Sequence, residues 1–565
     1  MSAVAEPSSF PQDAAALARQ GRLDEAERLA RTRLNAAPDD AEAVQLLGGI
    51  ARARGDRARA VELYSEALRL KPAFAKAHSN LGATLLEMGR VGEAIDHLSR
   101  ALADEPDFVD ARVNLGAALF NAGRFADAER ELRAALQLAP DDTLALNTLG
   151  NALFRQGRVD EAIAAFETAL AREPDLAMAI NNLGTAWREK GEPIKAEQAF
   201  RRALSVQPDA PETWNHLGII LRDQGRYPEA LAAHGRALRA NPAFDPARFA
   251  RSLIELGEGR FAEGFSDYRA RPLREQGQVA RDRLPDDLTG RRVLLLPNQG
   301  LGDELFFLRF APLLKARGAV LAYRTGSALA AIVRRIATLD RVVSVDEPDP
   351  AHDVALSIGD LPHLLGVTAA ADLPPPVELA AAEEDRATIA ARLARLGPPP
   401  YVGLTWRAGT REWNALLKAV PVAALGRALS GLSATFLAVQ RAPDAGEIAT
   451  LADALGAPVH DLSDLNASLP EMLALLERIE AYAGVSNTNT HLCAGTRRIA
   501  HVLVPHPPEW RWMNAGGRSP WFPHFPVYRQ QTGGAERGCA QRGWEGALAA
   551  LARDLAAHIG AGGRR

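Results

Sequence analysis

Prolines stand at Pro38, Pro72, Pro106, Pro140, Pro174, Pro208 and Pro242, each 34 residues after the one before. Gly48, Gly82, Gly116, Gly150, Gly184 and Gly218 keep the same step, as do Ala60, Ala94, Ala128, Ala162, Ala196 and Ala230. A strict period of this length means an array of like supersecondary units, none of which can bury its apolar face alone. Within residues 75–108, Leu81, Leu85 and Leu86 recur at helical spacing, and Gly89-Arg90 breaks the first helix. Ala94 and Ala101 are small where a second helix approaches closely, and Pro106 closes that helix, since it lacks an N–H and clashes with the preceding turn. Residues 8–272 are therefore predicted to form an α-solenoid: six full units from about 41 to 244, with degenerate units marked by Gly21 and Pro38 before them and by Gly259 and Phe261 after them. Such an array is a binding surface, so any chemistry falls to the rest of the chain.

A 34-residue unit with Gly early, Ala midway and Pro at the end is the signature of the tetratricopeptide repeat. The resemblance implies that the first helix of each pair lines a concave groove. Two residues before each marker glycine stand Leu46, Asn80, Asn114, Thr148, Asn182 and His216, and the neighbouring position adds Asn147, Asn181 and Asn215. A row of side-chain amides can pair with both the N–H and the C=O of an extended peptide. Each pair is worth roughly 1 kcal/mol net, so several must act together. The row resembles the asparagine ladder in the repeats of protein O-GlcNAc transferases, interrupted here by Thr148 and His216. Asn80, Asn114, Asn147, Asn181, Asn182 and Asn215 are the candidate peptide contacts; the alternative is solvated amides in a polar groove.

At 565 residues the chain exceeds one hydrophobic core. Its 66 basic and 70 acidic side chains nearly balance, which argues against a nucleic-acid partner, since that needs a strongly basic face. Two cysteines, Cys493 and Cys539, make neither a disulfide framework nor a metal-ligand spacing. The first twenty residues have no basic stretch followed by an apolar core, and no run of 18 apolar residues occurs. A soluble, reduced, cytoplasmic protein without a membrane span is expected.

After Arg271 the period stops, and a charged linker leads into the apolar run Val293-Leu294-Leu295-Leu296, which reads as a buried parallel strand. The turn Asn298-Gln299-Gly300-Leu301-Gly302-Asp303 follows, then an apolar helix pattern. Strand, glycine turn and helix open a doubly wound α/β domain, with ligands bound at the C-terminal end of the strand. Further strands are predicted at 319–323, 342–345 and 354–358, and a second set at 401–405, 435–439, 481–485 and 500–504. The expected fold class is α + α/β: the solenoid, then a two-lobed Rossmann-like GT-B domain. Its N-lobe is expected at 285–373, a proline-bounded connector with one helix at 374–400, and its C-lobe at 401–565 ending in a helix over 544–558.

Residues 300–318 (GLGDELFFLRFAPLLKARG) resemble the opening of heptosyltransferase-type glycosyltransferases. Residues 484–495 (GVSNTNTHLCAG) are similar to that family's D-T-x-x-x-H-L-x-A segment. PPEWRWM at 507–513 and SPWFPHFPVYRQ at 519–530 resemble a bacterial subgroup in which the domain follows tetratricopeptide repeats. The resemblance implies inverting transfer from a nucleotide-sugar, which needs a base for the acceptor proton and stabilisation of the departing diphosphate. Asp303 matches the family's general base, beside Gly300 and Gly302 of the turn; the alternative is a helix N-cap. Lys418 aligns with a phosphate-contacting basic residue, and Arg407 and Arg411 are further diphosphate candidates. Ser486, Asn487 and Thr488 precede a helix whose free N–H groups suit phosphate or sugar, and His491 is either a ligand donor or a core histidine. Glu509, Trp510 and Arg511 form a polar–aromatic cluster suited either to stacking on base or sugar or to loop packing.

One departure matters. The family's Asp five residues before the His is Ser486 here, and its Thr is Asn487. No D-x-D clamp for a metal-bound diphosphate occurs, so no metal and no cofactor beyond the donor substrate are expected. Three readings follow: an enzyme whose repeats present a protein or glycan acceptor, an interaction scaffold carrying a transferase-derived domain, and a sugar-nucleotide sensor. Retention of Asp303, Lys418 and His491 favours the first, and Ser486 the second.

Overall fold

In each repeat the marker glycine is there because a large side chain lies against its Cα. At Gly82 an added Cβ would fall 2.5 Å from Leu98 Cγ, and Tyr64, Leu132, Phe166, Phe200 and His234 fill the same place against the other marker glycines. The periodic alanines, Ala60 to Ala230, are wholly buried on the facing helix. A Cβ or a longer side chain at either position would force the two helices apart. The computed structural model describes residues 16–18, 20–272, 283–285, 287–298, 300–408, 419–531 and 543–562. Helix pairs run as the period predicts, from Ala41–Ala53 with Arg57–Leu70 through Pro211–Asp223 with Tyr227–Ala240. Leu23–Ala36 precedes them, and the pair Asp245–Gly257 and Phe261–Tyr268 closes the series.

The chain divides into two compact units, Met1–Pro208 and Asp209–Arg565. The first consists of repeat helices. The second holds the last two helix pairs together with the α/β region, so the units part inside the repeats rather than where the period ends.

Two parallel sheets make up the α/β region. In the first, β1 (Arg292–Leu296), β2 (Val320–Thr325), β3 (Arg341–Ser344) and β4 (Val354–Ser357) lie in the order β3-β2-β1-β4. In the second, β5 (Tyr401–Leu404), β6 (Thr435–Ala438), β7 (Val459–Asp461), β8 (Ala481–Val485), β9 (Ala500–Val504) and β10 (Val527–Arg529) lie in the order β10-β9-β8-β5-β6-β7. Val293, Leu294 and Leu295 are fully buried, as a parallel strand covered on both faces requires. Gly403 pairs with Leu437 on one side and Tyr482 on the other, which puts β5 at the centre of its sheet. Helix Glu383–Leu393 lies between the sheets in sequence, and helix Glu545–Gly562 supplies Leu548, Leu551 and Leu555 to the core of the second sheet.

The closing repeat is part of the α/β core. Phe261, Phe265 and Tyr268 share one apolar cluster with Val293, Phe306, Phe307, Trp510 and Trp521. Trp521 packs edge-on to Phe261 at 5.1 Å and to Phe265 at 5.8 Å between ring centres. Arg271, at the start of the predicted linker, is 2% exposed. It donates to Asn298 Oδ1 (2.9 Å), Ser357 Oγ (2.7 Å) and the Asp360 carboxylate. A fragment beginning at Asp209 is therefore expected to unfold in one cooperative step. One beginning at Leu284 loses those aromatics and Arg271, and is expected to show no cooperative transition by circular dichroism and to bind a dye for exposed apolar surface.

His234 takes the place of Leu98 or Phe166 against its marker glycine, with no exposure and neither ring nitrogen partnered among the described residues. Burial, reinforced by Arg222 and Arg251, pushes it down to about 3. Above the unfolded value near 6.5 the ring is neutral in both states. Below it the unfolded chain takes the proton first, so stability falls towards about pH 3 by roughly 1.4 kcal/mol per pH unit. His234→Phe is expected to raise stability at neutral pH by about 1–3 kcal/mol and to flatten the acid limb of a stability–pH curve measured by denaturant unfolding.

Candidate functional site

In the first sheet the chain runs outward from β1 through β2 to β3 and then returns to β4 on the other side, so it reverses at the C-terminal end of β1. The second sheet reverses in the same way between β5 and β8. Such reversals open a crevice at the strand ends, where ligands of open α/β sheets bind. Residues 298–303 leave β1 at the first reversal; residues 405–407 and 486–491 leave β5 and β8 at the second.

The two sets of loops meet. Helix Leu301–Phe307 brings Gly302 against His491, such that an added Cβ would lie 2.9 Å from the ring Cδ2. The glycine turn is thus a requirement of that approach. Gly300, not Asp303, holds the N-cap position of this helix, and the Asp303 carboxylate is ion-paired with Arg511 Nη2. Arg511 comes from the turn Trp510–Trp512 after β9, and its Nη1 reaches Glu509. Its guanidinium lies over the rings of Phe306 and Trp510, 4.6 Å from each centre, while Nε is buried without a partner among the described residues. Burial works against the Arg511 charge, but Asp303 and Glu509 outweigh it and its pKa is raised.

His491 is 7% exposed and sits edge-on to Phe306 and Phe522. Its Nδ1 has no partner among the described residues, so no backbone bond holds the ring there. Burial, aided by Arg511, pushes His491 down to about 3, and the ring is neutral at physiological pH. It can exchange one hydrogen bond with a ligand but brings no positive charge.

Helix Thr488–Gly495 begins at Asn487, whose Oδ1 accepts from Thr490 N (3.3 Å) and from Tyr482 Oη (2.9 Å). Asn487 Nδ2 donates to Thr405 Oγ1 at 3.2 Å, and Thr405 Oγ1 is 2.7 Å from Tyr482 Oη. Asn487 therefore closes the second reversal with both atoms of its amide. Gly484 is held to glycine by the same network, since a Cβ there would meet Thr405 Oγ1 at 2.0 Å. Ser486 and Thr488 are half-buried on either side, and their hydroxyls have no partner among the described residues.

Three other candidates, Arg407, Trp510 and Glu509, have partners within the protein. Arg407 spends its donors on Glu447 (3.2 Å) and on the Ala442 carbonyl (2.5 Å), so it is tied to residues 442–447. Lys418 and Arg411 lie outside the described residues. Trp510, 5% exposed, packs edge-on to Phe265, Phe306 and Trp521, and loop packing accounts for it. Glu509 belongs to the Arg511 pair.

In the repeats a one-residue step separates groove from interface. Asn80, Asn114 and Asn182, two before the marker glycine, are half-buried. One position earlier, Asn147 and Asn215 are 4% and 6% exposed and belong to the packed interior, which corrects their reading as peptide contacts, while Asn181 is half-buried. Asn182 Nδ2 donates to Asn147 Oδ1 at 3.0 Å, so the two amides satisfy each other. Asn80 and Asn114 keep amides without side-chain bonds among the described residues.

The sequence placed Arg511 in a polar–aromatic cluster but did not show its pairing with Asp303. Its signal was an arginine between two tryptophans, two residues after a glutamate: a cation with nowhere apolar to stay charged unless an acid came with it.

Residues 51–107 and 85–152 match one tetratricopeptide repeat family, and residues 14–74, 147–211, 188–246 and 215–272 match a second description of the same repeat. The N-terminal region is thus a run of tetratricopeptide repeats, a class that points to peptide or protein partners. The chain is 27% identical over 343 residues to Protein FlbA of Caulobacter vibrioides; the match covers 55% of this chain and only about half, 55%, of that relative's length. Among solved structures, YrrB, a TPR protein with an unusual peptide-binding site, is 26% identical with a TM-score of 0.28, covering 32% of this chain and 93% of that one. The Cut9–Hcn1 hetero-tetramer of APC/C is 18% identical with a TM-score of 0.41, covering 44% of this chain and 49% of that one. No helix among the described residues is long and apolar enough to cross a membrane.

The cap geometry yields a direct test. Asn487→Ala is expected to cost about 1–2 kcal/mol in chemical denaturation, because it removes a helix cap and leaves the buried Tyr482 hydroxyl short of an acceptor. A neutral effect would show that the network does not hold the loop.

Proposed function

We propose that this protein is a glycosyltransferase that moves a sugar from a nucleotide-sugar to a protein or glycan acceptor recruited by its repeats, inverting and without a metal. The two sheets act as the lobes of a GT-B domain, with residues 285–373 and 401–565 joined by the connector 374–400. The observation that carries the reading is the meeting of the two chain reversals, Gly302 against His491 and Asp303 paired with Arg511. In this reading Asp303 takes the acceptor proton. His491 and the hydroxyls of Ser486 and Thr488 hydrogen-bond the donor, and Arg511 with Lys418 receives the diphosphate charge. Acceptor affinity comes from the repeat groove, through Asn80, Asn114 and their neighbours. A carboxylate on one side and cations on the other is what a displacement with a departing diphosphate requires.

A second reading, a non-catalytic scaffold with a transferase-derived domain, has its own observation. Asn487 is consumed as a cap, and no carboxylate stands at Ser486 to bind donor hydroxyls.

Thermal unfolding of the full chain against UDP-, ADP-, GDP- and dTDP-sugars separates the two. A donor at a hundred times its dissociation constant adds about 2.7 kcal/mol and raises the midpoint. One nucleotide class is expected to do so. With that donor and a chelator present, transfer is expected to proceed and to fall by about 10²-fold or more in Asp303→Asn. No shift with any of the four donors would leave the repeats as the working part and the scaffold as the function.

A further inference from the structure

We infer that Arg511 is an exchangeable anion contact: a diphosphate takes its guanidinium from Asp303, and the freed carboxylate becomes the proton acceptor. The inference rests on the donor reading above and adds to it the event that turns the site on.

Two buried arginines in the same unit show the contrast. Arg271 is saturated, with Nε on Asn298 and the terminal nitrogens on Asp360, Ser357 and the Tyr268 carbonyl. Arg511 is as deeply placed, with a side chain 5% exposed, yet its Nε has no partner among the described residues. Its two carboxylates are the more open members, Asp303 at 25% and Glu509 at 21% exposure, so the pair is reached from the carboxylate side. The rings of Phe306 and Trp510 lie against the guanidinium and favour its positive charge.

An ionised carboxylate only accepts hydrogen bonds, and lone pairs given to a guanidinium are not available to a substrate hydroxyl. In the paired state Arg511 Nη2 engages Asp303 Oδ1, which leaves only Oδ2 open to a substrate hydroxyl. A diphosphate offers more charge and more acceptor oxygens than a carboxylate, and the planar fork of arginine suits it. The unpartnered His491 Nδ1 and the Ser486 and Thr488 hydroxyls add donors from the loop after β8. With Arg511 moved to the diphosphate, the acceptor oxygen forms its bond to the sugar carbon as the bond from that carbon to the diphosphate oxygen breaks. The electron pair leaves with the diphosphate, and the acceptor proton goes to Asp303. Donor binding thus precedes proton transfer and frees the whole Asp303 carboxylate for it.

Calorimetric titration of the full-length protein with inorganic pyrophosphate, UDP, ADP, GDP and dTDP tests this without a transfer assay. Asp303→Asn removes the competing charge and is expected to bind the diphosphate that wild type binds about tenfold tighter or more; Arg511→Lys, which keeps the charge but loses the fork, is expected to bind it about tenfold weaker or more. Circular dichroism checks that both variants are folded, and if Arg511→Lys is not, the Asp303→Asn comparison decides alone. Wild-type affinity in Asp303→Asn, or in a folded Arg511→Lys, overturns the exchange and leaves the donor reading standing. Absence of binding by every form to every diphosphate overturns the donor reading itself, and the exchange with it.

Discussion

The α/β unit depends on how it keeps guanidinium groups charged out of water. An arginine moved into a protein interior loses hydration worth several kcal/mol and stays only where something replaces it. Three solutions stand close together. Arg271 is fully bonded and ties the closing repeat to the ends of β1 and β4. Arg309, 1% exposed, has no acid: it donates to the carbonyls of Phe306 and Trp521 and lies 4.4 Å over the Phe306 ring and 4.9 Å over Phe522. Burial, then Arg511, pushes it down to about 9. Arg511 has two acids and an unspent nitrogen. The first is a weld, the second a filler between aromatic rings, and the third holds two carboxylates with a buried nitrogen unspent among the described residues.

This arrangement explains why the repeats do not end where their period ends. Phe261, Phe265 and Tyr268 satisfy the repeat pattern on their own helix, and they also complete the aromatic wall around Phe306 and Trp521. A change in the closing repeat therefore acts on the wall that holds Arg511. The α/β sheets are not a passenger on the repeat array, because part of their core is supplied by it.

What the sequence made legible follows from which signals are local. Helix pairs could be read to within a residue or two, because Gly82 against Leu98 and the buried Ala94 recur at a fixed step. Eight of the ten strands among the described residues could be read from apolar runs, and each of these is four residues or longer. β7 (Val-His-Asp) and β10 (Val-Tyr-Arg) could not: each is three residues long at an edge of the second sheet, too short to show a period. A glycine turn and a strand–helix junction single out Asp303 and His491 as candidates. The partner of Asp303 could not, since Arg511 lies 208 residues away and reaches it only through the fold. Two members of the asparagine row lie inside for a geometric reason: along a helix a step of one residue turns about 100°, enough to carry Asn147 from groove to interior.

The charge inventory of the site constrains how any anion can enter it. Asp303 and Glu509 are acids, Arg511 and Arg309 are cations, and His491 is neutral, so the cluster is balanced as it stands. A diphosphate added to a balanced, largely buried cluster would carry uncompensated charge into a poor solvent for it. Two routes avoid that cost. A cation arrives with the ligand, for which Arg407 is not free, while Arg411 and Lys418 on the segment after β5 are the sequence's other candidates. Otherwise a carboxylate gives up its partner and turns towards water, which Asp303, the more exposed of the two, is placed to do. The second route has a consequence that the first lacks. It leaves an unpaired carboxylate beside the bound donor, so charge balance alone links occupancy of the site to the release of Asp303.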